Sequence, residues 1–191
     1  MHNFYSARWL NPMNRRYYYL PAIFALIIGF PPESIAEGKS YVSDTVKILD
    51  IEDPHREAQA WAICAASYDL LAEILQESSP ARAKQLGDLA NGAELAVIIS
   101  IVMSELDADT TPEAFDSIWN FSKLSGGEIP KTMRTTLLAD LESDTSSGKS
   151  KFLDDLGKTV AVCANNLDGQ QKYIDLWRDL AKSGLLKFPS K

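Results

Sequence analysis

Apolar residues return every three or four positions along most of the chain beyond residue 50, and no stretch alternates apolar and polar like a half-buried strand. The pattern therefore predicts an all-α fold, a compact bundle of five to six helices with no internal repeat. Asp53-Pro54, Ser79-Pro80 and Thr111-Pro112 each place a capping side chain before a proline. At the first helical position the missing N–H of proline is harmless, so helices are expected to begin near 54, 80 and 112. A fourth is expected from about Pro130 after an SGGEIP loop, a fifth from about Ser150, and a sixth over roughly 169–183, ending at Gly184. Residues 41–50 suit a short helix or turn, and the tail from Leu185 shows no clear pattern.

Stepping about 100° per residue assigns faces to these segments. Trp61, Cys64, Tyr68, Leu71 and Leu75 form one narrow stripe, with Asp69, Glu73 and Glu77 opposite. Leu153, Leu156, Val160, Cys163 and Leu167 repeat the same spacing in the 150s, and Tyr173, Leu176, Trp177 and Leu180 make a core stripe in the last helix. The segment 80–108 is apolar on two sides. Leu86, Leu89, Ala90, Ala93 and Val97 make one face, and Leu95, Ile99, Val102 and Leu106 the other, as expected of a central helix or of one that meets a second copy through Leu95, Ile99 and Val102. The alanines of 62–66 and 90–93 permit close helix approach.

The two cysteines each fall on the inward seam of their own helix. A Cys64–Cys163 disulfide is the economical reading for an exported chain, two buried free thiols acting as small hydrophobes being the alternative. Export is read from residues 13–36, MNRRYYYLPAIFALIIGFPPESIA: Arg15 and Arg16, an apolar run from Tyr17 to Phe30, then small residues at Ser34 and Ala36. Residues 1–36 are accordingly expected to be a signal peptide cleaved after Ala36, with Met13 a candidate initiator and 37–191 a single helical domain. A mitochondrial presequence competes with this reading, but the unbroken apolar block is not amphipathic. The expected localisation is periplasmic or secreted, with no stable membrane span after cleavage.

Charge narrows the partners. Beyond residue 36 the chain has 16 basic and 25 acidic residues, a formal charge of −9, and no basic run, which excludes a nucleic-acid binder. An acidic surface suits solubility or a basic protein partner.

Catalytic and metal chemistry find little support. His55 is the only histidine after the leader. Nine residues separate it from Cys64, so on one helix the two point to opposite sides about 13 Å apart along the axis, and no Cys-His dyad forms. Glu52 and His55 match half of a di-iron motif that lacks its second half. SDTSSGKS, residues 143–150, resembles the end of a phosphate-binding loop but lacks its first glycine and its preceding strand. Asn120-Phe121-Ser122 is a formal glycosylation acceptor inside an expected helix. Glu57, near the Trp61–Cys64 seam in a first helical turn, is the one acid with an unusual setting. No cofactor or metal is expected.

These traits match the build of periplasmic immunity and inhibitor proteins, an analogy of architecture and not of sequence. The expected function is an exported, non-catalytic helical protein that binds a secreted or envelope enzyme through Asp69, Glu73, Glu77 and Phe121. A cell-envelope hydrolase using Glu57 or His55 is the alternative, and a structural subunit of an envelope assembly a third.

Overall fold

A computed structural model describes residues 40–107, 109–143 and 148–186. Among these there are five α-helices and no strand: α1 (Pro54–Leu75), α2 (Pro80–Glu105), α3 (Pro112–Ser143), α4 (Gly148–Ala164) and α5 (Leu167–Lys182). The expected leader and cleavage point lie outside the described residues.

The helix starts follow their caps. The Asp53 side chain accepts from the His55 N–H at 2.9 Å, and Thr111 Oγ1 accepts from the Ala114 N–H at 3.2 Å. Ser79 makes no such bond, so proline alone marks the start of α2. Before α1, a single 3-10 turn at Ile48–Asp50 is the short element expected in 41–50. The segment around it is sewn to α4 and to the α4–α5 junction by side chains: Thr159 Oγ1 of α4 accepts from the Tyr41 N–H at 2.9 Å, and Asn166 Oδ1 of the junction from the Ile48 N–H at 2.9 Å.

The largest helix interface joins α1 and α2. Their alanines, Ala62, Ala65 and Ala66 on one side and Ala90, Ala93 and Ala96 on the other, are buried and bring the two backbones close. Trp61, Cys64, Tyr68, Leu71 and Leu75 are all buried, as their stripe requires. Both predicted faces of α2 are used inside the domain except at its end: Val97, Ile99 and Val102 are buried, Leu86, Leu89 and Leu95 pack partly buried against the core, and Leu106 is exposed. By length and composition alone α2 is apolar enough to cross a membrane, a property that the core helix of a bundle shares.

The sulfurs of Cys64 and Cys163 are bonded, with the Cα atoms 5.6 Å apart and 99 positions between them in sequence. The two seams thus meet, and α1 is stapled to α4.

Several expectations need correction. No loop interrupts α3, which runs through Gly126, Gly127 and Pro130, so the separate fourth helix does not exist. The reason lies in its inner face. Phe115, Ser122, Gly126, Pro130 and Leu137 are all buried at helical spacing, so residues that read as loop punctuation are contact positions. A Cβ on Gly126 would come 2.4 Å from Ile98 Cγ1 on α2, which shows how near the two helices pass. Leu167 is exposed, because α4 ends at Ala164 and Leu167 opens α5. Leu176 is exposed, the buried side of α5 being carried by Gln170 and Tyr173. The tail is not patternless: after Gly184 turns at φ 80°, Leu186 is buried against Val102 and Phe115.

Candidate functional site

The most unusual interior group is Glu57, only 9% exposed. Its Oε1 accepts from Trp61 Nε1 at 3.3 Å and from the Tyr173 hydroxyl, which itself receives a bond from Ser100 Oγ at 3.3 Å. Trp61 and Tyr173 meet edge to face, with centroids 6.2 Å apart. The Tyr173 phenol is pushed well above its ordinary value, first by burial and then by its bond to Glu57. Burial alone raises Tyr68, whose hydroxyl has no hydrogen-bond partner among the described residues. The Glu57 group ties α1, α2 and α5 together. It gives the carboxylate donors, which is what a buried acid needs to stay folded in place.

His55 does not join it. The residue is exposed in the first turn of α1 and, two positions from Glu57, points about 200° away around the helix. Glu52 is exposed as well. Among the described residues, no three His, Cys, Asp or Glu side chains converge as a metal site.

The expected acidic face is real but largely answered. Arg134 of α3 pairs with Asp69 at 3.1 Å and with Glu73, while Lys131 of α3 acts on Glu94 nearby. Burial raises the Glu94 carboxyl above its usual range, Lys131 opposes the shift, and Asp69 adds to it. Glu77 is exposed beyond this cluster. The surface where α1 meets α3 is therefore mixed in charge.

Phe121 and Leu124 are 59% and 74% exposed on the outer side of α3. They do not cover a neighbouring helix, because the inner side of α3 is already filled by Ser122, Gly126 and Pro130. Of the formal glycosylation acceptor, Asn120 is exposed and Ser122 is fully buried.

Two features were missed by sequence reasoning. A cleft of about 420 Å³ lies between residues 43–47 and the α4–α5 junction. It holds one acid, Asp44, and one base, Lys47, whose ammonium is engaged by the Asn165 carbonyl and by Asp168 at 3.6 Å. The second is the corner between α2 and α3, where Met103 and Leu106 are 55% and 39% exposed among Glu105, Asp107, Asp109 and Glu113. A signal for it was present: no lysine or arginine lies between Lys84 and Lys123, while seven acids do. No protein-family model, curated protein or solved structure matches this chain.

Proposed function

We propose that the protein is an exported, non-catalytic helical binding protein that holds and blocks a secreted or envelope enzyme, in the manner of inhibitor and immunity proteins. The observation that carries the reading is the exposure of Phe121 and Leu124. Two large apolar side chains one turn apart face solvent on a helix whose other side is packed, and exposed apolar groups of this kind serve as interface anchors.

Other features support it. The Cys64–Cys163 bond suits an oxidising space such as the periplasm or the cell exterior. Glu57, the candidate acid of a hydrolase, is consumed by Tyr173 and Trp61, and His55 points away from it. A bundle stapled in this way presents a rigid surface, which lowers the entropy lost on binding.

The test uses the oxidised protein as bait against its host's envelope fraction. One enzyme is expected to be retained at physiological salt and to lose activity in the complex. Phe121→Ser with Leu124→Ser is expected to weaken that complex by at least about tenfold, the effect of removing one interface hot spot. Retention of nothing, or turnover of envelope material by the protein itself, would refute the reading.

A further inference from the structure

We infer that the corner between α2 and α3 is a docking surface for a basic segment of a partner protein that carries an apolar residue of its own. This rests on the binding-protein reading and adds to it a place and a chemistry.

The apolar anchors come first. Met103 and Leu106 stand exposed at the end of α2, although the residue beside them, Val102, is buried against Phe115 and Leu186. Met103 has a flexible and polarisable side chain, suited to an opposing surface of varied shape.

The charge around them then selects the occupant. Glu105, Asp107, Asp109 and Glu113 are exposed along the same stretch of chain, and no lysine or arginine lies between Lys84 and Lys123. The nearest basic residues on α5, which packs against this end through Trp177 and Leu180, are Arg178 and Lys182. They are taken by Asp175 at 2.8 Å and Asp179 at 3.0 Å.

Glu105 and Asp107 also sit at the C-terminal end of α2, where the helix dipole favours cations. At Glu105 the arrangement works against stability, whereas Asp107 has a structural use in the turn that follows. Asp107 Oδ1 accepts from the Asp109 N–H at 3.0 Å and from Thr110 Oγ1 at 2.8 Å. A positively charged partner removes the repulsion. A second copy of this acidic chain would double it, so self-association is not the use of this surface.

The experiment is an amide NMR titration of the full oxidised chain. The probe is a synthetic amphipathic peptide with leucines on one face and lysines on the other, and a glutamate-for-lysine peptide is the control. Shifts are expected to centre on residues 103–113 with the lysine peptide only, and to weaken with added salt.

Glu105→Gln with Asp109→Asn and Glu113→Gln keeps the Asp107 turn and is expected to weaken binding about tenfold, as for the loss of several exposed ion pairs. Met103→Ser with Leu106→Ser is expected to weaken it as well, and thermal melts confirm that each variant is folded. Equal binding of both peptides, unchanged affinity in the triple variant, or shifts centred on Phe121 and Leu124 would overturn the corner as the docking surface. The last of these would leave the binding-protein reading standing, whereas an empty bait experiment removes that reading whatever the peptide does.

Discussion

Glu57 depends on Tyr173 more than its place in the sequence suggests. A carboxylate with 9% exposure that loses one of its two donors retains its desolvation without compensation. Tyr173→Phe is therefore expected to destabilise the fold by about 1–3 kcal/mol near neutral pH, read from urea unfolding curves. Variant stability equal to the parent's would mean that the bond carries nothing. The pH dependence has a definite sign. Folding raises the Tyr173 phenol above 10.0, so the unfolded chain gives up that proton first as the medium turns alkaline. Stability from this bond is complete below pH 10 and is lost as pH rises through the folded value, and the gap between parent and variant should narrow there. Helical arithmetic in the sequence placed Glu57 beside the Trp61–Cys64 seam. It gave no sign of Tyr173 or Ser100, because these partners are 116 and 73 positions from the groups they bond and only the packing of α5 on α1 and α2 brings them in.

Helix α3 separates what local signals reveal from what they hide. Proline after a capping residue marked the starts of α1, α2 and α3 because that signal is complete within two residues. Gly126, Gly127 and Pro130 carry a signal of the same strength for a break, yet the helix continues. Burial of Gly126 and Pro130 against neighbouring helices outweighs an intrinsic helix penalty of about 1 kcal/mol for each glycine and about 3 kcal/mol for a proline. The same reasoning gives opposite signs for two glycine substitutions. At Gly87, in the middle of α2, a Cβ meets nothing within 4 Å, so Gly87→Ala is expected to stabilise by about 0.5–1 kcal/mol. At Gly126 a Cβ would meet Ile98 Cγ1 at 2.4 Å and the Ile98 Cα at 3.2 Å, and backbone yields less readily than a side-chain tip. Gly126→Ala is expected to destabilise by about 1–3 kcal/mol, despite the higher helix propensity of alanine. Melting temperatures of the two variants decide the matter. A gain at both positions would mean that the α2–α3 contact is slack.

The disulfide governs the molecule as a whole, and it was legible for a simple reason: two cysteines on two inward seams have few other places to go. Its importance follows from what hangs on α4. That helix meets the bundle mainly through α1, with a smaller contact to α3, and residues 41–50 are held by its Thr159 and by Asn166 just beyond its end. Cross-linking residues 99 positions apart restricts the unfolded chain by about 4.7 kcal/mol, set against total stabilities of about 5–15 kcal/mol for ordinary domains. Cys64→Ala with Cys163→Ala is thus expected to remove a large share of the stability, and hydrogen exchange should show 148–164 and 41–50 losing protection before α1 and α2. A uniform loss across all five helices would contradict this order. Both sulfurs are essentially inaccessible, at 0% and 1% residue exposure, so a thiol reductant has to wait for opening of the fold. In native buffer the reduction rate should follow the opening equilibrium, and mild urea should accelerate it sharply. Fast reduction without denaturant would show that α4 detaches easily even when stapled. Slow reduction would mean that, once oxidised, the bundle keeps its rigid surface wherever it is carried.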